Sequence, residues 1–393
     1  MNFKSTRIKN SFIICTFIIA LPFSWASWKI GSVYRVVTIL LFLLFLLINH
    51  FVIYIKKQDR DMLTIWGVYI SYSVLTMFWA VNSEAAIINS LGLLLLALIV
   101  IVFFGVGEKN IDSQIIEKCW VLVGVICIAL YMFGEKTAVG EYGSRTSMMI
   151  MGTPTDPNEF ASIFIVPASL IVYNLFQNKK NKIIEVIILI LMVYCVLMSG
   201  SRGALISLVV ALLITYFMYG KVNMKTMMIS IVAIVIIGII TVQYLLPMIP
   251  KDVLARLSLT ALMEDGGSGR GTLWIDAINK IWNGSVWRML FGYGQYGLTA
   301  GIEGLTQTMH NQLLQQLSNY GIVGLASYIL LIYKVFKALF SRCPQYIGAF
   351  MGIMLMSMTI TMSVAYKILW ILFLMPTVYC IKQRKDKSHG CKW

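Results

Sequence analysis

Charged residues are scarce in this sequence. Asp, Glu, Lys and Arg make up only 12% of the 393 residues, whereas an ordinary soluble domain has about 25%. Hydrophobic residues make up 59%. This balance excludes a soluble globular protein and indicates a protein that crosses a membrane many times.

Several catalytic motifs are missing as well. The chain has no His-Glu-x-x-His motif, no Walker loop, no paired-cysteine zinc pattern and no Gly-x-Ser-x-Gly elbow, and we predict no metal site and no cofactor. The stretch Asp59-Arg60-Asp61 has the form of a nucleotide-sugar metal site. It lies in a short loop beside Lys56 and Lys57, and we interpret it as solvated charge on the inner side.

Long apolar runs take up most of the chain. A helix rises 1.5 Å per residue, so about 20 residues cross a hydrocarbon core of roughly 30 Å. Because lipid offers the backbone no hydrogen-bond partner, such spans must be helical. The predicted fold class is all-α, with about twelve transmembrane helices. They lie near 11–26, 36–55, 62–81, 85–107, 119–134, 159–177, 183–198, 203–219, 226–248, 322–340, 346–364 and 368–381.

Basic residues are distributed unevenly over the predicted loops. With the N-terminus inside, the inner segments hold 21 of the 32 Lys and Arg residues, as the positive-inside tendency requires. We therefore predict that both termini are cytoplasmic. The net charge of +15 is then a topology signal and does not indicate nucleic-acid binding.

Residues 1–393 are predicted to form a single integral membrane domain, because no repeat or second soluble domain is visible. A large extracytoplasmic loop, 249–321, is inserted between transmembrane helices 9 and 10, and a smaller outer segment covers 135–158. Functional residues often lie on long loops held by a rigid scaffold. The large loop is expected to carry two short helices, one on the membrane surface near 272–282 and one from about Thr308 to Gly321.

Two arginines are predicted at helix starts on the outer side. Arg270 lies in a Gly-Ser-Gly-Arg-Gly turn, and Arg202 lies in the turn Met-Ser-Gly-Ser-Arg-Gly-Ala between spans 7 and 8. Free backbone N–H groups and a guanidinium both favour a phosphate. The alternatives are a solvated arginine near lipid headgroups for Arg270 and a snorkelling helix-end arginine for Arg202.

His310 is one of only three histidines, and it is predicted at a helix N-terminus beside Asn311. The helix dipole there would lower the pKa of the imidazole and keep it neutral near pH 7. A neutral imidazole suits a general base that acts on an alcohol. The alternative is a structural histidine.

The segment Gly-Thr-Pro-Thr-Asp-Pro-Asn-Glu-Phe-Ala, 152–161, is typical of a turn that starts a helix. Asp156 or Asn158 can cap the sixth span. Asp156 and Glu159 can instead orient a sugar or a catalytic group, but the residue types favour capping.

Three outer features follow one another in a fixed order. They are Ser-Arg-Gly-Ala at 201–204, Gly-Arg-Gly-Thr-Leu-Trp at 269–274, and His310-Asn311 followed nine residues later by Gly-Ile-Val-Gly at 321–324. Together they resemble the O-antigen polymerase and ligase family over roughly residues 150–340. The arginine turn is a loose motif, whereas the His-Asn-x9-Gly-x-x-Gly spacing is fairly specific in this context.

The resemblance implies an undecaprenyl-diphosphate-dependent glycosyltransferase on the outer face of the bacterial cytoplasmic (inner) membrane. By that resemblance, Arg202 and Arg270 would hold the diphosphate of the donor, and His310 would take the proton of the acceptor hydroxyl without a metal. Asn311, Asp156 and Glu159 are candidate substrate-binding residues. The Asp-Pro-Asn-Glu-Phe-Ala segment favours a polymerase of O-antigen, capsule or exopolysaccharide.

Three alternatives remain. An O-antigen ligase would move the finished polymer to the lipid A core, and the His-Asn-x9-Gly-x-x-Gly spacing favours it. A flippase or secondary transporter would need ionisable residues at midplane depth and related halves, and a scaffold would need no chemistry. The expected partners are the lipid-linked donor, a glycan or lipid A-core acceptor and membrane lipids, with a flippase and a chain-length regulator as further candidates.

Overall fold

The computed structural model describes residues 3–24, 26–28, 31–106, 111–139, 145–177, 182–220, 270–300, 308–361 and 367–379. Most of this part of the chain is helical, as the sequence predicts. The helices before residues 221–269, which lie outside the described residues, are α1 Phe3–Ile19, α2 Val33–Ile48, α3 Arg60–Leu75, α4 Ser83–Val106, α5 Ser113–Phe133, α6 Pro157–Ser162, α7 Ile165–Gln177, α8 Lys182–Met198 and α9 Arg202–Tyr219. Those after it are α10 Arg270–Trp282, α11 Val286–Phe291, α12 Gly297–Ala300, α13 Gln312–Arg342, α14 Ile347–Met356 and α15 Lys367–Leu374.

Short three-ten helices extend or connect several of these elements. They lie at Leu21–Phe23, Lys57–Asp59, Thr76–Trp79, Pro344–Tyr346 and Met375–Val378. Counted with these extensions, six described helices are long and apolar enough to cross a membrane, and four shorter apolar helices accompany them. The protein is therefore a helical membrane protein. The predicted span 226–248 lies outside the described residues, and the count of twelve spans stays a prediction, as does the single domain.

Two small antiparallel sheets were not predicted. β1 Ser27–Trp28 pairs with β2 Gly31–Ser32, and β4 Arg145–Ile150 lies between β3 Lys136–Val139 and β5 Thr153–Pro154. In β4 the neighbouring residues Ser147 and Met148 are both buried, as is Ile150. This strand therefore lacks the alternation of polar and apolar residues by which strands are recognised in a sequence.

Small residues allow α9 and α14 to pack closely. A Cβ built on Gly352 would lie 2.7 Å from the carbonyl oxygen of Ser207 and 2.8 Å from the Cβ of Ala211. Helices in membranes commonly approach each other through such small side chains. The packing brings the start of α9 next to the turn that follows α14.

At the opposite end of the bundle, the structure contradicts the interpretation of Asp59 as solvated charge. Asp59, expected to be solvated, is only 2% exposed, and its carboxylate lies 2.5 Å from Arg342 Nη1 in an ion pair. Arg342 also donates to the carbonyl oxygen of Pro376 at 3.2 Å. The interpretation was wrong because the partner arginine is 283 residues away in the sequence and only the fold brings it to the loop.

A kink at Gly321 divides α13. Gly321 has φ 65° and ψ −168°, values that only glycine adopts readily. A Cβ on Gly321 would lie 2.6 Å from the N atom of Gly292 and would overlap the carbonyl oxygen of Leu290. The predicted helix stop near Gly321 is thus present as a break between a polar first half and an apolar second half of α13.

Candidate functional site

The turn that leads into α9 places Arg202. Gly200 has a left-handed backbone with φ 65°, and Ser201 caps α9 by accepting a hydrogen bond from the N–H of Ala204 at 3.2 Å. Arg202 is therefore the first residue of the helix, as the sequence predicts. The hydroxyl of Ser201 also donates to Oδ1 of Asn158 at 2.8 Å.

Asp156 caps α6, as the sequence favours. Its Oδ1 accepts hydrogen bonds from the N–H groups of Asn158 at 2.7 Å and Glu159 at 3.1 Å. Glu159 lies in the first turn of α6 and is half-buried. Because Asn158 is bonded to Ser201, both acidic residues lie on a segment that contacts the turn carrying Arg202.

The turn 357–359, which follows α14, contacts two of the predicted segments. A Cβ on Gly203 would overlap the hydroxyl oxygen of Thr359, so the start of α9 packs against this turn. The carbonyl oxygen of Ser357 accepts a hydrogen bond of 2.8 Å from the N–H of Gln312. Gln312 begins α13 two residues after His310, and the turn therefore joins the beginnings of α9 and α13.

His310 and Asn311 lie directly before α13. This helix begins at Gln312, four residues later than expected, because Asn311 is its N-cap. The Oδ1 atom of Asn311 accepts hydrogen bonds from the N–H groups of Leu313 and Leu314, at 3.0 and 3.2 Å. His310 is half-buried and has a left-handed backbone with φ 47°, which is uncommon for a residue other than glycine.

Helix α10 brings Arg270 to the same region. Trp274, one turn after Arg270, donates its indole N–H to the carbonyl oxygen of Met309 at 2.7 Å. Met309 is the residue immediately before His310, so Arg270 and His310 lie on two segments in direct contact. A small hydrophobic core holds the segments together and consists of Ala277, Ile281, Tyr293, Leu298 and Met309.

A continuous set of contacts therefore joins the predicted site residues. It runs from the 156–159 segment through Ser201 to the start of α9, through the 357–359 turn to the start of α13, and through Trp274 to α10. Arg202, Arg270 and His310 all make further interactions in this arrangement. Two guanidinium groups and an imidazole on adjoining segments can bind an anion and accept a proton from a hydroxyl group.

A buried polar network in the first half of α13 was not predicted from the sequence. Gln315 donates to Oδ1 of Asn319 at 2.8 Å, and Asn319 donates to Oε1 of Gln295 at 2.6 Å. The hydroxyl of Tyr320 donates to the same oxygen of Gln295 at 3.0 Å and accepts from Asn89 at 3.2 Å. The network fixes the loop residue Gln295 and α4 against the helix that begins beside His310.

One signal for this network is present in the sequence. Gln312, Gln315, Gln316 and Asn319 recur at a helical spacing of three to four residues, and all are at most 5% exposed. Such a polar face inside a membrane protein must be paired, because unpaired buried polar groups are costly.

Residues 187–329 match the family model described as O-antigen ligase. This part of the chain is similar to the O-antigen polymerase and ligase family. The matched segment includes Arg202, Arg270, His310 and Asn311, and it extends past the Gly321 kink. The family resemblance seen in the sequence is thereby confirmed, and the O-antigen family indicates a glycosyltransferase-like membrane enzyme. A search of the curated proteins found no match.

Proposed function

We propose that this protein polymerises undecaprenyl-diphosphate-linked oligosaccharide repeat units of an O-antigen, capsule or exopolysaccharide. The reaction takes place on the outer face of the bacterial cytoplasmic membrane. The contacts that connect the starts of α9 and α13 with α10 carry the proposal. A transfer reaction needs its anion-binding groups and its base at one place, and similarity to the O-antigen family supports this class of reaction.

In the proposed reaction the acceptor hydroxyl attacks the anomeric carbon of the donor sugar. A new carbon–oxygen bond forms there while the bond from that carbon to the diphosphate oxygen breaks, and the electron pair leaves with undecaprenyl diphosphate. His310 takes the proton of the hydroxyl. Arg202 and Arg270 bind the diphosphate and stabilise its developing charge, so no metal ion is required.

Asn311, Asp156 and Glu159 are proposed to contribute to substrate binding at the edge of this site. Asp156 and Glu159 lie on the segment bonded to the Arg202 turn, where their carboxylates can accept hydrogen bonds from sugar hydroxyls. The amide of Asn311 also fixes the start of α13 through its cap. These three residues position the glycan, and the arginines and the histidine perform the transfer.

A ligase is the second candidate. The description of the matching family favours it directly, and its chemistry at Arg202, Arg270 and His310 would be the same. The two functions differ in the acceptor, which is a second lipid-linked repeat unit for the polymerase and the lipid A core for the ligase.

The test is complementation of a strain lacking this gene with Arg202→Ala, Arg270→Ala and His310→Ala variants. Loss of a charge-stabilising donor or a general base typically reduces the rate by about 10²- to 10³-fold, so each variant should lose almost all surface polymer. Arg60→Ala is the matched control, because Arg60 is exposed at the other end of the bundle. Polymer at the wild-type level in all three variants, with equal amounts of protein in the membrane, would overturn the proposal.

The same strains distinguish the two acceptors. A defective polymerase leaves surface glycan that carries single repeat units. A defective ligase instead accumulates long lipid-linked polymer, which gel electrophoresis of the lipid fraction detects.

A further inference from the structure

A cavity lies at the same end of the bundle as the proposed reaction site. It has a volume of about 380 Å³, and its walls come from the starts of α2 and α4, the first residue of α15 and the loop before α12. These are all at the end of the bundle that carries the polar half of α13. The proposed reaction does not use any of the described residues that line this cavity.

Two cationic side chains from different helices line the cavity. Arg35 lies in the first turn of α2, and Lys367 is the first residue of α15. Among the described lining residues there is no Asp or Glu. Two basic side chains in one partly enclosed space favour an anion with more than one negative charge, and such an anion in turn favours the protonated form of Lys367. The serine and amide side chains of the wall can add hydrogen bonds.

Part of the cavity wall is apolar. Ile88 and Leu95 of α4 line it, and Leu91 and Leu94 of the same helix are exposed on the surface of the bundle. A ligand that binds between the two basic side chains and α4 has a charged end next to Arg35 and Lys367 and an apolar part along α4. This combination fits a lipid phosphate or diphosphate and does not fit a free sugar.

Two hydrogen bonds connect the cavity to the candidate site. Asn89 in the cavity wall donates to the hydroxyl of Tyr320 at 3.2 Å, and the N–H of Tyr296 donates to Oδ1 of Asn319 at 3.2 Å. Both partners lie at the end of the polar half of α13, and His310 lies just before its beginning. Nine residues of helix correspond to roughly 13 Å along the axis, a separation that a short oligosaccharide can bridge.

We infer that the cavity between Arg35 and Lys367 binds the diphosphate of a second polyprenyl-linked glycan, the acceptor of the polymerisation. The donor diphosphate lies at Arg202 and Arg270, and the acceptor glycan extends along α13 until its terminal hydroxyl reaches His310. This inference rests on the proposed function. It also favours the polymerase over the ligase, because only the polymerase uses two substrates of this lipid.

Native mass spectrometry can count the bound lipids. The full-length protein in phosphatidylcholine nanodiscs is titrated with undecaprenyl diphosphate, and two molecules should bind to the wild type. The double variant Arg35→Ala/Lys367→Ala should bind one, at the arginines of the reaction site. The variant Arg202→Ala/Arg270→Ala should also bind one, and the combination of all four substitutions should bind none.

Charge-preserving variants provide the control for folding. The double variant Arg35→Lys/Lys367→Arg and the distant variant Arg60→Ala should both retain two bound molecules. If Arg35→Ala/Lys367→Ala does not fold, the single variants Arg35→Gln and Lys367→Gln replace it. Phosphatidylglycerol at an equal concentration tests the other source of a lipid phosphate and should not displace the second molecule.

Three results would overturn the inference. The first two are an unchanged stoichiometry in both the Arg35→Gln and Lys367→Gln variants, and displacement by phosphatidylglycerol. Neither result affects the proposed function, which depends on loss of polymer in the Arg202, Arg270 and His310 variants. A wild type that binds one molecule, lost only in Arg202→Ala/Arg270→Ala, would refute the acceptor site and leave the donor site intact.

Discussion

At the residue scale, His310 is held from both sides of its own backbone. Met309 accepts the indole hydrogen bond of Trp274 at its carbonyl oxygen and donates its N–H to Oε1 of Gln315 at 3.2 Å. Asn311 caps the helix that follows. The left-handed backbone of His310 is therefore imposed by its two neighbours, and such conformations are often found where a side chain must be aimed at a ligand.

Replacement of Asn311 tests this arrangement. Asn311→Ala removes the cap of α13 and should lower the free energy of unfolding by about 1 kcal/mol. Activity should fall further than this loss of stability explains, because His310 is no longer fixed. Asn311→Asp keeps an oxygen that caps the helix and is the control. Thermal unfolding in detergent and polymer formation in cells measure the two effects, and equal activity of the Ala and Asp variants would contradict the positioning role.

At the scale of elements, α10 and the polar half of α13 form one unit. Their shared core and the bond from Trp274 to Met309 join the helix that starts at Arg270 to the segment that carries His310. The unit includes residues on both sides of 301–307, which lie outside the described residues. Among the described residues, the indole N–H of Trp274 is one of the contacts that set the position of Arg270 relative to His310.

The variant Trp274→Phe tests how much the hydrogen bond from Trp274 to Met309 contributes. The substitution keeps an aromatic ring at this half-buried position but removes the donor to Met309, which should cost about 1 kcal/mol of stability. We expect a several-fold loss of polymer formation at an unchanged level of protein in the membrane. Trp282→Phe is the matched control, because Trp282 is 75% exposed at the other end of the same helix. A similar effect of both substitutions would show that Trp274 has no special role.

The sequence predicts the helices better than their contacts. Apolar runs locate the described spans because lipid forces each of them to be helical, and the residue types around Gly321 and Asp156 predict a helix stop and a helix cap. The sequence does not predict the buried ion pair of Asp59, the sheet of β3, β4 and β5, or the polar network of α13. Each of these depends on partners far away in the sequence, which a local pattern of residues cannot reveal.

At the scale of the whole molecule, the buried ion pair of Asp59 and Arg342 joins α3 to the end of α13. Asp59→Ala leaves a buried arginine without its carboxylate, and breaking such a pair typically costs about 3–5 kcal/mol. We expect a strong loss of folded protein in thermal unfolding. Asp61→Ala is the control, since Asp61 lies two residues away and is exposed in the first turn of α3. Similar unfolding temperatures for both variants would show that the pair does not stabilise the fold.

The orientation of the bundle decides on which face the reaction takes place. Glu135 is exposed, and its carbonyl oxygen accepts a hydrogen bond from the N–H of Met149, in the sheet that continues to the Asp156 segment. Glu135 therefore reports on the end of the bundle that carries the candidate site. Arg60 is exposed at the end where Asp59 and Arg342 pair, and the distribution of basic residues predicts that this end is cytoplasmic.

Single-cysteine labelling measures this orientation. The five described native cysteines are buried, and Cys380 and Cys391 are replaced by serine to remove any background. A membrane-impermeant maleimide should label Glu135→Cys in intact spheroplasts. It should label Arg60→Cys only after lysis, because the charged reagent cannot cross the membrane. The reverse pattern would put Arg202, Arg270 and His310 on the cytoplasmic face. It would exclude transfer between lipid-linked glycans on the outer side, whatever the chemistry of the three residues.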